Sequence, residues 1–145
     1  MDDTGGSDPD TDDGITDLSI GDQPEVETEF FNPAYIHTID IELGDGSEAA
    51  LWDDPYAYVT ADVTIDGVRL DDVGIRLRGK IGSFRTLDGK PKFKLDFNRF
   101  VDDRRFQEME SLSLNNSVVD CSYLKEPIAY AVFNAIGAPQ MRTSY

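Results

Sequence analysis

The chain has 145 residues, with 13 Lys and Arg against 29 Asp and Glu, and a formal net charge of −16 at pH 7. That length suits one modest domain with a workable core. The acidity argues against a general affinity for DNA or an anionic membrane surface, since both attract proteins through clustered Lys and Arg. A single cysteine, Cys121, excludes an intrachain disulfide and a Cys-based metal site, and is expected to be a small helix residue. A single histidine, His37, excludes most zinc ligand sets and is expected to be structural. No apolar run reaches the length needed to span a bilayer, and Met1 is followed at once by Asp2 and Asp3, so the reading contains no secretory signal.

The charge is unevenly placed. Residues 1–29 hold eleven acids and no Lys or Arg, and they are rich in Asp, Gly, Ser, Thr and Pro. Such a segment lacks the apolar mass to offset its ordering entropy, so a disordered acidic leader is expected there. Asp8, Asp10, Asp12 and Asp13 follow part of a calcium-loop spacing. The loop, however, needs Gly where Asp13 stands and Glu where Ser19 stands, so a solvated tether is the better reading. From Phe30 onward 18 acids meet all 13 bases, a net of only −5. The expected organisation is a leader over 1–29 and one domain over 30–145.

Within that domain, 36–43 alternates His37, Ile39, Ile41 and Leu43 against Ile36, Thr38, Asp40 and Glu42, which predicts a half-buried strand. Residues 56–65 are β-branched and aromatic, and Asp66-Gly67 is a two-residue hairpin signal. The partner strand runs from Val68 to Arg78, with a break expected at Asp71-Asp72. Residues 79–89 form a polar, glycine-bearing loop. Phe93, Leu95 and Phe97 alternate with Lys94 and Asp96 in a further strand, and Leu112 and Leu114 mark a short one. A helix is predicted from Asp120 as N-cap, through Tyr123, Leu124, Ile128, Val132 and Ile136, to a stop at Gly137 and Pro139. Pro127 is tolerable in its first turns. The fold class is α+β, an antiparallel sheet with one packed helix.

Two features carry chemistry. Arg76, Arg78, Lys80, Arg85, Lys90, Lys92 and Lys94 gather in 19 residues of an acidic chain. On an extended strand Arg76, Arg78 and Lys80 share one face. With Gly79 and Gly82 beside them they suit a phosphate-bearing ligand, because glycine lets backbone amides approach closely. The competing reading is a solvated strand face neutralised by the chain's many carboxylates. The second feature is a strand lysine, Lys94, followed by a helical glutamate, Glu126. Kinase-like folds use such an ion pair to hold the lysine against ATP phosphates, although the spacing alone is common in α+β proteins.

The ordered series is more specific than either feature. Val73-Gly74-Ile75-Arg76-Leu77-Arg78-Gly79, Gly82-Ser83 and Phe93-Lys94-Leu95-Asp96-Phe97 are followed by Leu112-Ser113-Leu114-Asn115-Asn116. Then come Asp120, Tyr123-Leu124-Lys125-Glu126, Ala129-Tyr130, Phe133, Gly137-Ala138-Pro139 and Arg142-Thr143-Ser144-Tyr145. Together they resemble the spore-coat CotH kinase family over roughly 36–145, most strongly from Val73. The resemblance implies the N-terminal lobe of an atypical protein kinase that uses ATP and Mg²⁺ to phosphorylate Ser or Thr of partner proteins. It implies a setting in the cell envelope, secreted or in a coat. By this resemblance Lys94 is the phosphate-contacting lysine and Glu126 its partner, while Arg76, Arg78 and Ser83 border the nucleotide. Asn115 and Asn116 match a motif expected to be structural. Lys125 and Pro127 depart from the family's helix, and Lys92 competes with Lys94 for its role. The family's catalytic and metal-binding acids lie downstream of the Arg142–Tyr145 segment, so the chain is expected to be an N-terminal portion, inactive alone. The alternative is a non-enzymatic surface or coat binding module with an acidic tether.

Overall fold

In the computed structural model, residues 30–32, 34–138 and 142–144 are described. The expected acidic leader and its calcium-like spacing lie outside them. Five strands form one antiparallel meander: β1 (Ile39–Leu43), β2 (Val59–Ile65), β3 (Val68–Arg78), β4 (Lys92–Asp96) and β5 (Ser111–Leu114), adjacent in chain order. Two helices accompany them, α1 (Ser47–Asp53) between β1 and β2, and α2 (Lys125–Ala135) after β5. The α+β class and the antiparallel sheet are those expected from the alternating patterns.

Alternation along the strands decides which face is buried. On β2, Val59, Ala61, Val63 and Ile65 are buried and the residues between them are not. On β3, Val73, Ile75 and Leu77 are buried, and Leu95 of β4 lies opposite Ile75. Phe30, Leu51, Phe97, Phe106 and Met109 complete this core against the same face. Each large aliphatic side chain removed from water contributes about 1.5–3 kcal/mol, so the core sets the strand register.

The β2–β3 hairpin turns at Asp66 and Gly67, with φ of 48° and 85°. Two positive φ values give the turn whose twist matches the flanking strands. His37 lies just before β1 and is structural, as expected. Its Nδ1 is 2.6 Å from the Asp66 carboxylate and its Nε2 is 2.6 Å from the Phe30 carbonyl oxygen. The hydrogen bond to His37, with a second from the Thr38 N–H, holds the Asp66 carboxyl below its ordinary value.

The break expected at Asp71-Asp72 is a bulge within a continuous β3. Ala61 pairs with Val73 but Val63 with Leu70, and Asp72 has φ 52°. The freed carbonyls of Asp71 and Asp72 accept from Arg104, whose Nε also donates to the Phe97 carbonyl at 2.8 Å. One arginine thereby ties the bulge to the chain beyond β4.

Sequence patterning contained no helix between Gly44 and Pro55, yet α1 forms there over a Ser-Glu-Ala-Ala-Leu-Trp-Asp run of mostly good helix formers. It docks through Leu51, 2% exposed, and through Ser47 Oγ, which donates to the Thr60 carbonyl at 2.9 Å. At seven residues α1 has no independent stability. Leu51→Ala is therefore expected to destabilise the domain by about 2–5 kcal/mol, read as a lower urea midpoint, whereas Trp52→Ala on the exposed side of the helix should change it little.

Candidate functional site

The face of the sheet opposite the core carries the charge. Register pairing sets Arg76 directly across from Lys94, and Arg78 directly across from Lys92. Four cations thus form two like-charge cross-strand pairs, an arrangement that costs about 0.2–1 kcal/mol per pair. The sheet bears this because the alternate residues Val73, Ile75, Leu77 and Leu95 are all buried on the other side. Lys80 falls outside the set, because β3 ends at Arg78 and the chain turns at Gly79 with φ 125°.

Among the described residues, none of Arg76, Arg78, Lys92 and Lys94 forms an ion pair with a carboxylate. This counts against the solvated, carboxylate-neutralised reading of the face. Acids are abundant, and other arginines do collect them. Arg69 reaches Glu42, Asp62 and Asp71 at 3.1, 2.5 and 2.8 Å, and Arg105 reaches Glu110 at 2.5 Å. Arg76, Arg78, Lys92 and Lys94 are left without such partners in a chain with a surplus of negative charge.

Tyr58 adjoins this group. Since Val59 pairs with Ile75, Tyr58 falls beside Arg76 on the next strand. The Arg76 and Arg99 guanidiniums lie 5.2 and 4.9 Å from the centre of the Tyr58 ring. Arg99 reaches it by crossing Gly74, where a Cβ would come within 2.5 Å of the Arg99 Cβ. Sequence analysis marked Gly74 only as part of a motif and missed both Tyr58 and Arg99. Nothing in the sequence brings residues 58 and 99 together.

The loop after β3 is tied down from two sides. The Asn116 Nδ2, on a side chain only 2% exposed, donates to the carbonyls of Ser83 (3.1 Å) and Lys90 (2.8 Å), holding both ends of the loop. The Tyr56 hydroxyl donates to the Gly79 carbonyl at 3.0 Å, and the Tyr56 and Phe84 rings pack at 5.7 Å. At Gly79 a Cβ would meet the Phe84 backbone at 3.1 Å, so this turn needs glycine. Ser83 is engaged through its backbone carbonyl. Lys90 is turned away to Tyr123, with Nζ 5.0 Å from the ring centre and 3.4 Å from the hydroxyl.

The α2 side of the site differs from expectation. The helix begins at Lys125, because Tyr123 takes φ 59° and interrupts any helix running from Asp120. Asp120 organises that interruption. Its carboxylate accepts from the Ser122 N–H (3.1 Å), the Ser122 hydroxyl (2.6 Å) and the Lys125 N–H (2.9 Å). These bonds, the Ser122 hydroxyl foremost, hold its carboxyl below the ordinary value. Cys121 lies exposed in this turn instead of in a helix. Pro127 is the third helical residue and needs no intrahelical donor.

Glu126 does not meet Lys94. Both of its carboxylate oxygens accept from the Asn115 Nδ2, at 2.9 and 2.7 Å. Tyr130, one turn on, lies near enough to Arg78 to sense its charge. Burial first, and then the adjacent Glu126 carboxylate, raise its phenol, while Arg78 opposes the shift. The adjacent asparagines Asn115 and Asn116 thus divide the work, one holding Glu126 of α2 and the other the loop. The helix has no buried residue, and its Leu124, Ile128, Val132 and Ile136 stripe is exposed.

A cavity lined by Phe30, Asn32, Tyr35, His37, Asp66 and Gln107 lies at the opposite end of β3, with an aromatic rather than basic wall. Among the described residues, no group of three or more His, Cys, Asp or Glu side chains could hold a metal ion, and no helix is long and apolar enough to cross a membrane.

Residues 75–145 match the family model described as CotH kinase protein. The match begins within β3 and contains Arg76, Arg78, Ser83, Lys94 and Glu126. No curated protein and no solved structure matches the chain.

Two tests follow from this geometry. Asn116→Ala should free both ends of the 83–90 loop and cost about 1–3 kcal/mol for the carbonyls left without a donor, visible as faster amide exchange at Ser83 and Phe84. For Asp120 the folded pKa lies below the unfolded one. Its contribution is therefore complete above about pH 3.9 and is lost as pH falls through the lowered folded value. Acidification should loosen the 120–125 turn, measured by amide exchange at Lys125, and Asp120→Asn should lack this response.

Proposed function

We propose that the described domain, whose residues 75–145 match the CotH kinase family model, carries the nucleotide-binding portion of a protein kinase. The enzyme passes the γ-phosphoryl of ATP to Ser or Thr hydroxyls of partner proteins in a coat or envelope setting. The observation that carries this reading is the set of four cations, Arg76, Arg78, Lys92 and Lys94, packed across two strands without a carboxylate partner among the described residues. A triphosphate would supply the missing negative charge, and phosphoryl transfer depends chiefly on positioning and charge stabilisation.

Lys94, in the middle of β4 and flanked by Arg76 on one strand and Ser113 on the other, is the best-placed lysine for the phosphates. Lys92 lies at the strand start, beside Arg78. Ser83 borders the nucleotide through the Asn116-held loop. Glu126 positions α2 through Asn115. Among the described residues no group of three or more His, Cys, Asp or Glu side chains gathers, and the reading assigns no step to a metal.

The same unpaired cations also suit a second reading, a binding module that holds an anionic polymer or coat partner on the basic face without catalysis. Titration with ATP and Mg²⁺ separates the two, since a module for other anions would show no preference for the nucleotide over sulfate. Lys94→Ala is expected to weaken ATP about tenfold, the loss of one charge-assisted contact. Lys90→Ala, whose ammonium is already against Tyr123, should stay within about twofold. Equal losses from both would reduce the face to general electrostatics and sink the assignment of Lys94.

A further inference from the structure

Tyr58 and Arg99 have no role in the reading above, and their stack with Arg76 is costly unless something anionic joins it. Two guanidiniums drawn to one ring repel each other at close range. Each gains a cation–π attraction from Tyr58, and among the described residues neither has a carboxylate partner. Arg76 makes only a long 3.4 Å contact, from Nη1 to the Leu77 carbonyl. Arg99 is exposed, and it comes from the segment after β4, yet it lies over the sheet because Gly74 leaves it room. Asp96, the register partner of Gly74, and Asp62 share this face, but Asp62 is taken by Arg69 and Asp96 pairs with neither guanidinium.

We propose that Arg99 is a fifth cation of the polyphosphate-binding face, and that Tyr58 and Gly74 are positioning residues that set it beside Arg76. The two guanidiniums would then grip the phosphate chain, Arg76 in common with Lys94 and Arg99 extending the grip toward Gly74. Planar guanidinium forks suit phosphate oxygens, and an aromatic face restrains them without removing their donors. This rests on the nucleotide reading and names how its ligand's phosphates are held.

The test is isothermal titration of the full chain with ATP and Mg²⁺, and separately with inorganic tripolyphosphate. Tyr58→Leu and Arg99→Gln are each expected to weaken both ligands roughly three- to tenfold. Tyr58→Phe, which keeps the ring, should recover the affinity that Tyr58→Leu loses. Gly74→Ala should behave like Arg99→Gln, since the methyl displaces the Arg99 stem. Arg105→Gln, which removes a charge paired with Glu110 elsewhere, should match the wild type. Thermal melts accompany each variant, and because Arg99 is exposed, Arg99→Gln decides the matter even if a Tyr58 variant folds poorly. If the wild type binds and Arg99→Gln binds as tightly, this inference is overturned while the nucleotide reading stands. If Tyr58→Phe is as weak as Tyr58→Leu, the positioning role of the ring is overturned. If the wild type binds neither ligand, the nucleotide reading falls and takes this one with it.

Discussion

Burial of one face of β3 is the constraint from which the rest of the site follows. Val73, Ile75 and Leu77 can all leave water only if the strand runs straight through them with alternate side chains on the opposite face. Arg76 and Arg78 are the residues between and beyond. Leu95 is buried opposite Ile75 by the same rule, which places Lys94 and Lys92 across from the two arginines. A slip of one residue would relieve the like-charge pairs but expose the whole apolar set. Several buried aliphatics at about 1.5–3 kcal/mol each outweigh two repulsive pairs at about 0.2–1 kcal/mol each. The core therefore holds the cations together against their mutual repulsion.

Around that fixed register, polar side chains place the loops. Asn116 spans from Ser83 to Lys90, Asn115 holds Glu126, and Asp120 shapes the turn that leads into α2. Arg104 does the corresponding work at the bulge, on the far side of β3 from the cation pairs. Asn116, Asp120 and Arg104 each give backbone groups of irregular segments a side-chain partner in place of a strand ladder. The asparagine pair couples the loop and the helix to the end of β5, so both elements flanking the basic face are referred to one point on the sheet.

The helix α2 illustrates a limit of periodicity. Its Leu124, Ile128, Val132 and Ile136 spacing is genuine, and a helix does form over most of it. The spacing does not say what the stripe faces, and in this structure it faces away from the core. Asp120 has the chemistry of an N-cap, and it does bond the Lys125 N–H. The left-handed Tyr123 nevertheless delays the helix by a turn, an override that no propensity scale would signal.

By itself the sequence determined the strands, the Asp66-Gly67 turn and the two-sided character of β3 and β4, because these follow from a period-two alternation and local turn chemistry. It also determined that Arg76, Arg78 and Lys94 belong to one chemical neighbourhood, through the ordered motifs around them. It could not reveal α1, whose short run of helix formers gains its stability from Leu51 docking on a distant sheet. Nor could it show that Glu126 turns to Asn115, or that Tyr58 and Arg99 meet over Gly74. Those contacts join residues separated by eleven to forty-one positions, and only the completed sheet brings them within reach.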